Sequence, residues 1–189
     1  MSAKILEIRW HGRGGQGVVT ASQLLARSAM REGKYVQAFP EFGPERMGAP
    51  IKAYTRISDN QIKIHSGVKT PNIVIVLDPS LIGQVDIGEG LADDGLILVN
   101  SEKNPDTISR IAGLAGKKVL AIDASKIALE TIGRNIVNTS IMGALVKATG
   151  VVSLDALLKE IEASFGTKLN RKVIDGNLAA AKRAYEVLN

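Results

Sequence analysis

The sequence predicts an α/β protein: a doubly wound, mostly parallel open sheet with helices on both faces and a helical C-terminal third. Two observations support this fold class. Over the first two thirds of the chain, short apolar runs typical of buried strands alternate with segments of helical apolar spacing, and after residue 123 only the helical spacing continues. No change of composition marks a linker within the 189 residues, so we expect one domain over residues 1–189.

The N-terminal part predicts a strand, a glycine-rich turn, a helix and a second strand. Residues 4–10 alternate apolar and polar side chains, and residues 11–17 are rich in glycine. Residues 18–31 have helical apolar spacing, with Gly33 placed to end the helix, and residues 35–39 predict the second strand. We expect the crossover between these strands to be right-handed.

The middle of the chain predicts further strands. Residues 40–50 contain too much glycine and proline for a regular element, whereas residues 51–57 and 61–64 predict a hairpin pair. Three apolar runs then predict parallel strands buried on both faces, with a helix over residues 106–114 before the last of them. These runs cover residues 72–77, 95–99 and 118–122.

Three helices are predicted in the C-terminal third, and each begins at a residue that can cap it. Asn138 or Thr139 can cap the first helix, which ends before Gly150. Ser153 is placed to cap the second helix and Asn170 the last.

The composition excludes several classes of chemistry. The chain has no cysteine, which excludes disulfides, thiol nucleophiles and cysteine-ligated zinc or iron–sulfur sites within it. It has two histidines, which leave little for a metal centre. No activated nucleophile or carboxylate pair is evident, so we predict neither a metal site nor a catalytic residue.

The charge pattern argues against nucleic acid as a partner. The net charge is +5, but acidic residues are interleaved with the basic ones, and there is neither a run of five basic residues nor an aromatic ladder. No signal peptide or apolar stretch of membrane-spanning length is evident. We therefore expect a cytoplasmic protein that is not attached to a membrane.

The glycine-rich turn is the clearest candidate site. Gly12, Gly14 and Gly17 satisfy the spacing G-x-G-x-x-G between a predicted strand and a predicted helix. Glycine allows a tight turn and the close approach of a ligand or another backbone, and a helix N-terminus offers free N–H groups to an anion. The turn therefore fits a phosphate-bearing ligand.

The same turn lacks part of the dinucleotide-binding pattern. Arg13, with Arg9 and His11 nearby, is expected to add positive charge. A dinucleotide site also needs an acidic residue at the end of the second strand, but that strand ends at Phe39 and Glu41 lies beyond a proline. Two interpretations stay open: a nucleotide site, or a close turn that packs a helix against the sheet or against a partner subunit.

Two other features could belong to a site. Asp78 follows a predicted strand, where α/β sheets place their ligand crevice, although an Asp-Pro pair is equally a turn and helix-start signal. Residues 40–50 combine three prolines with a charged cluster, and loops of this kind are often shaped for a contact. That cluster consists of Glu41, Glu45 and Arg46. Because the sequence offers no carboxylate pair, metal ligands or activated nucleophile, it favours a binding or assembly subunit over a self-sufficient enzyme.

Residues 8–17 (IRWHGRGGQG), residues 38–50 (AFPEFGPERMGAP) and residues 138–144 (NTSIMGA) resemble segments of the gamma subunits of the 2-oxoacid:ferredoxin oxidoreductases. The glycine loop is shared by the wider superfamily, whereas the second segment is narrower and favours the pyruvate enzymes over the 2-oxoglutarate enzymes. The resemblance covers essentially the full length. Met47 departs from it, because many relatives carry a second Arg or Lys there.

The resemblance implies a division of labour among subunits. Such complexes convert pyruvate, coenzyme A and oxidised ferredoxin into acetyl-CoA, carbon dioxide and reduced ferredoxin. The alpha, beta and delta subunits hold the thiamine diphosphate, Mg and 4Fe-4S clusters, which agrees with the absence of cysteine here. The gamma subunit serves assembly and part of the coenzyme A site, so the isolated chain is expected to be inactive.

Two sets of residues follow from the resemblance and from the chemistry of the loop. The predicted coenzyme A set is Gly12, Arg13, Gly14, Gly15, Gln16, Gly17 and Asn138. The predicted subunit-interface set is Glu41, Phe42, Gly43, Pro44, Glu45, Arg46 and Gly48. Three alternatives stay open: a stand-alone Rossmann-type nucleotide-binding protein, a gamma subunit acting on another 2-oxoacid, and an assembly module whose loop meets only protein.

Overall fold

The apolar runs of the sequence form a six-stranded sheet in the computed structural model, which describes residues 5–41, 48–166 and 169–188. The strands are β1 (Leu6–Arg13), β2 (Tyr35–Pro40), β3 (Pro50–Ser58), β4 (Ile73–Val76), β5 (Leu96–Asn100) and β6 (Lys118–Ile122). The α-helices of these residues are α1 (Val18–Arg31), α2 (Pro105–Ile111), α3 (Ala124–Ile132), α4 (Asn138–Thr149), α5 (Leu154–Gly166) and α6 (Arg171–Val187). The predicted fold class is confirmed.

The sheet has the strand order β2-β3-β1-β4-β5-β6. β1, β4, β5 and β6 pair in parallel, as the continuous apolar runs of β4, β5 and β6 predicted, whereas β3 pairs antiparallel with both β1 and β2. β3 therefore lies between the two strands of the predicted N-terminal unit. This inserted strand makes the sheet mixed, and it separates β1 from β2.

One predicted strand does not form, and two predicted bounds are shifted. Residues 61–64 form no strand, because β3 already pairs with β1 on one edge and with β2 on the other. β1 continues through Arg13, since Gly12 and Arg13 still pair with β3, so the turn starts later than predicted. α2 ends before Gly113, whose φ of 65° is left-handed, rather than at Leu114.

The two faces of the sheet are covered differently. Side chains such as Trp10 and Ile75 face a large apolar core that they share with α1 and α3–α6. Val76 and its neighbours face the opposite way, into a smaller core closed by α2 and the segment of residues 79–91. Helices therefore lie on both faces, and the deeper core is on the side of the C-terminal helices.

The C-terminal helices begin as the sequence predicted in two of three cases. Ser153 Oγ accepts a hydrogen bond from the Ala156 amide at 3.1 Å, and Asn170 Oδ1 accepts one from the Val173 amide at 3.0 Å. Asn138 is instead the first helical residue of α4, and it is buried. Of the helices in the described residues, none combines the length and apolarity needed to cross a lipid bilayer.

α4 and α6 cross at very close range. A Cβ atom at Gly143 would overlap the carbonyl oxygen and carbon of Ala181. Only glycine lets the two backbones approach this closely without displacement of one helix. Gly143 lies in the 138–144 segment that carried part of the family resemblance, and this contact gives it a structural role.

Candidate functional site at the glycine loop

The first glycine of the motif serves helix packing. Gly12 belongs to β1, and a Cβ atom there would lie 2.5 Å from Val18 Cγ2 in the first turn of α1. A larger residue would push α1 away from the sheet. At this position the close-turn interpretation of the loop applies, because the atoms that approach belong to the chain itself.

The remaining glycines leave the start of α1 open. Gly17 is the N-cap of α1 in the left-handed region (φ 78°), and no side chain among the described residues caps the helix. Gly15 is also left-handed (φ 93°), and a Cβ atom there would meet none of the described atoms within 4 Å. The first-turn N–H groups therefore have no side-chain acceptor in the described chain, which is the arrangement that an anion recognises.

Gln16 and Asp78 fasten the loop to the end of β4. Gln16 Oε1 accepts a hydrogen bond from the Arg13 amide at 2.7 Å, and Gln16 Nε2 donates to Asp78 Oδ2 at 2.6 Å. The other carboxylate oxygen of Asp78 accepts from the Ser80 amide at 2.8 Å. Asp78 thus does more than begin a turn, because it holds two segments that are 62 residues apart in sequence.

The Arg13 guanidinium is anchored to its own protein. It donates to Ser80 Oγ at 2.8 Å, to Gln84 Oε1 at 3.1 Å and to the Gly48 carbonyl at 3.2 Å. Its Nε lies 3.3 Å from Asp78 Oδ2, and the side chain remains 26% exposed. Arg13 therefore presents a fixed, partly balanced charge beside the loop.

The pKa of Asp78 reflects these contacts. Burial raises it, but the hydrogen bonds from Ser80 and Gln16 and the charge of Arg13 outweigh burial, and the net pKa lies below the usual range. Asp78 is consequently ionised at neutral pH, and its charge fixes Arg13 in place.

The two predicted residue sets meet at one place. The Gly14 amide donates to the Ala49 carbonyl at 3.0 Å, and the Gly48 amide donates to the Gly14 carbonyl at 3.3 Å. Asn138 approaches from α4, with its Nδ2 3.0 Å from where a Cβ on Gly17 would be. The structure therefore brings Gly48 and Asn138 to the glycine loop.

Glu41 lies further from the loop, at the end of β2. Its carboxylate accepts a hydrogen bond from the Tyr54 hydroxyl, and burial followed by this contact raises the pKa of Tyr54. Five members of the predicted interface set lie outside the described residues. They are Phe42, Gly43, Pro44, Glu45 and Arg46.

The charge expected from Arg9 and His11 does not reach the loop. Both side chains are buried on β1, at 3% and 2% exposure, and Arg9 Nη2 donates to the Ile87 carbonyl at 3.0 Å. Burial, together with the charges of Arg9 and Lys52, lowers the pKa of His11 to about 3. His11 is thus neutral at physiological pH, and Arg13 supplies the positive charge at the loop.

The structure adds residues that the sequence did not single out. Gln16 and Asp78 line a crevice of about 220 Å³ together with Asn100, Ser125 and Asn135. Asn100 Oδ1 accepts from the Ser125 amide at 3.1 Å, and Asn100 Nδ2 donates to Ser125 Oγ at 3.0 Å. Asn100 could have been found from the sequence by its position at the end of an apolar run, because the carboxyl ends of parallel strands share one edge of the sheet.

No group of three His, Asp or Glu side chains that could hold a metal ion occurs among the described residues. The site consists of an open helix N-terminus, a fixed guanidinium and a polar crevice at the carboxyl edge of the sheet. The fold is that of a doubly wound α/β domain, with these groups gathered at the carboxyl edge of its sheet.

The chain belongs to the pyruvate ferredoxin/flavodoxin oxidoreductase family, whose sequence model matches residues 7–187. It is 48% identical over 186 residues to the pyruvate synthase subunit PorC of Thermotoga maritima, covering 98% of this chain and 96% of that protein. It is 47% identical over 182 residues to the pyruvate/ketoisovalerate oxidoreductases common subunit gamma of Pyrococcus furiosus, covering 96% of each.

The structural comparison agrees. The crystal structure of the pyruvate oxidoreductase subunit PORC from Thermotoga maritima superimposes with a TM-score of 0.87 at 45% identity, covering 98% of both chains. The resemblance to gamma subunits of 2-oxoacid:ferredoxin oxidoreductases is therefore confirmed over nearly the whole chain.

Proposed function

We propose that this chain is the gamma subunit of a pyruvate:ferredoxin oxidoreductase complex, and that its glycine loop forms part of the coenzyme A site. Similarity to subunits named for pyruvate supports the first part. The observation that carries the second part is the open N-terminus of α1, next to the unobstructed Gly15 and the Arg13 guanidinium.

The described residues fit a polyphosphate ligand. The N–H groups of the first turn of α1 would hold a phosphate through hydrogen bonds and the helix dipole, and Arg13 would add charge. Asp78 and Gln16 keep the loop in the shape that points these groups outward. Coenzyme A supplies the thiol that takes up the acetyl group; the role of this chain is to bind and orient it.

The oxidative chemistry is assigned to other subunits. The chain has no cysteine to ligate a cluster, and its described residues hold no carboxylate group arranged for a metal. The alpha, beta and delta subunits would hold the thiamine diphosphate, Mg and 4Fe-4S clusters, with ferredoxin as the acceptor. The segment from Glu41 to Gly48 is proposed to contact these partners on the strength of the family resemblance, and Gly48 at its second end is hydrogen-bonded to the glycine loop.

The loop is tested with Gly15→Asp in the assembled complex. A carboxylate at this position would repel a phosphate, and we expect the KM for coenzyme A to rise roughly tenfold while the KM for pyruvate and the subunit composition stay unchanged. Gly116→Asp is the matched control, because Gly116 is also left-handed (φ 76°) with no described atom near a Cβ. Loss of assembly with an unchanged KM would show instead that the loop meets only protein.

The assignment of the complex is tested by anaerobic purification of the tagged chain from its host. We expect iron-containing partner chains to co-purify with viologen reduction that requires both pyruvate and coenzyme A. A purified complex that reduces viologen neither with pyruvate nor with 3-methyl-2-oxobutanoate would contradict the assignment.

One observation favours a second substrate. The Pyrococcus furiosus relative is named as a subunit common to pyruvate and ketoisovalerate oxidoreductases. Purification followed by assays with pyruvate and with 3-methyl-2-oxobutanoate separates the two cases. If this chain is shared in the same way, the two activities should separate into complexes that both contain it.

A further inference from the structure

A second cavity lies in the helical third of the chain. It has a volume of about 550 Å³ and lies between the segment that follows α3, the end of α5 and the first turns of α6. Volumes of this size are typical of small-molecule sites. Its principal walls are Ile132, Arg134, Ile136, Phe165, Lys172 and Val173.

The walls combine an apolar surface with positive charge. No acidic residue occurs among the described residues that line the cavity, although two cations do, Arg134 and Lys172. Neither forms an ion pair with any acid in the described part of the chain. Arg171, the neighbour of Lys172, is instead paired with Glu162 at 2.6 Å and Asp175 at 2.7 Å. The acids of this region are therefore engaged by the cation outside the cavity.

Asn138 borders both the cavity and the glycine loop. Asn138 lines the cavity and is 5% exposed. Its Oδ1 accepts from the Thr139 amide at 2.9 Å, whereas its Nδ2 makes no hydrogen bond to the described residues. This nitrogen lies beside the glycine loop, 3.0 Å from where a Cβ on Gly17 would be, so the amide marks the boundary between the cavity and the loop.

We propose that this cavity binds a small organic anion, a carboxylate with an aliphatic body, at a site separate from the glycine loop. The carboxylate would be held by Arg134 and Lys172. The aliphatic body would pack against Ile132, Phe165 and Val173. Arg134 and Lys172 are exposed, so they favour an anion through their charge, and an anion without an aliphatic body would leave the apolar walls uncovered.

The test uses octanoate as the probe and the purified full-length chain, with affinity measured by titration calorimetry. We expect saturable binding of one octanoate, and roughly tenfold weaker binding of acetate and of octan-1-ol. Arg134→Gln combined with Lys172→Gln should weaken octanoate binding at least tenfold. Lys103→Gln combined with Lys118→Gln removes the same charge elsewhere and should leave the affinity unchanged.

A second variant tests the cavity without changing charge. Ile136 is 41% exposed, so the larger side chain of Ile136→Trp can fill part of the cavity without disturbing the core. Circular dichroism will report whether the fold is kept. We expect the folded variant to lose octanoate binding. Equal affinity in the wild type and these variants, or no saturation, would overturn the proposal.

Competition distinguishes this site from the proposed coenzyme A site. Coenzyme A should not displace octanoate, and Gly15→Asp should leave octanoate affinity unchanged. Displacement by coenzyme A would overturn the separate site and extend the coenzyme A site to this cavity. Failure of the Gly15→Asp test in the complex would leave the octanoate result standing.

Discussion

Two glycines of this chain show two opposite uses of the same residue. Gly15, in the loop, has a left-handed backbone, and the space where a Cβ would point is empty in the described chain. Gly143, in α4, has an ordinary helical backbone, but a Cβ there would overlap the backbone of α6 at Ala181. The first keeps the loop accessible from outside, and the second lets two helices meet inside. A glycine in a sequence pattern therefore does not reveal by itself which use applies.

Substitution at the helix crossing should have the largest effect. Gly143→Ala adds a methyl group where the Ala181 carbonyl lies, so α4 or α6 must shift. We expect the free energy of unfolding to fall by about 3 kcal/mol, measured by urea denaturation. Gly67→Ala is the control, because a Cβ at Gly67 meets no described atom within 4 Å. Equal stability of both variants would mean that the two helices are further apart than described.

A second prediction concerns the pH dependence of stability, which reports on the burial of His11 on β1. The pKa of His11 is lowered from 6.5 to about 3, chiefly by burial. The unfolded chain therefore takes up a proton first, so the stability contributed by neutral His11 is complete above pH 6.5 and is lost as the pH falls towards 3. This amounts to about 1.4 kcal/mol per pH unit, or about 2 kcal/mol at pH 5.

His11→Gln should remove this part of the acid dependence, measured as the free energy of unfolding between pH 7 and pH 5. His65→Gln is the control, because His65 is exposed. The same slope in the wild type and in His11→Gln would contradict a buried, neutral His11.

The smallest effect is expected at Asp78, which is hydrogen-bonded to the glycine loop. Asp78→Asn removes the charge that faces Arg13 and replaces one oxygen that accepts hydrogen bonds from Gln16 or Ser80. Since the ion pair is partly exposed, we expect a loss of about 1 kcal/mol in urea denaturation at pH 7.

The pKa of Asp78 is lowered in the folded state, so this contribution is present above the usual carboxyl range and disappears as the pH falls through the lowered pKa. The difference between wild type and Asp78→Asn should shrink accordingly in acid. Asp94→Asn, an exposed site, should show no such pH-dependent difference.

Local signals made much of the fold predictable. The caps at Ser153 and Asn170 act within three residues, so sequence spacing was enough to find them. Strand pairing depends on distant segments, and nothing near residues 50–58 indicates that β3 inserts between β1 and β2. The hairpin prediction for residues 61–64 failed for the same reason.

The candidate site likewise has features that the sequence could predict and features that it could not. The spacing of the glycines located the loop, because the turn and the start of the helix are local features. The role of Asp78 was not visible, because its partner Gln16 is 62 residues away. The burial of Arg9 and His11 also depends on segments brought over β1 from later in the chain, such as the one that contains Ile87.

The position of β1 has a consequence for synthesis of the chain. β1 is translated first, but it is paired by residues 50–57 on one edge and by residues 73–76 on the other. A nascent chain that ends before β4 thus leaves one edge of β1, one of the two central strands, open. Open strand edges pair readily with other chains. Until β4 has been translated, β1 therefore has an edge at which another chain could pair.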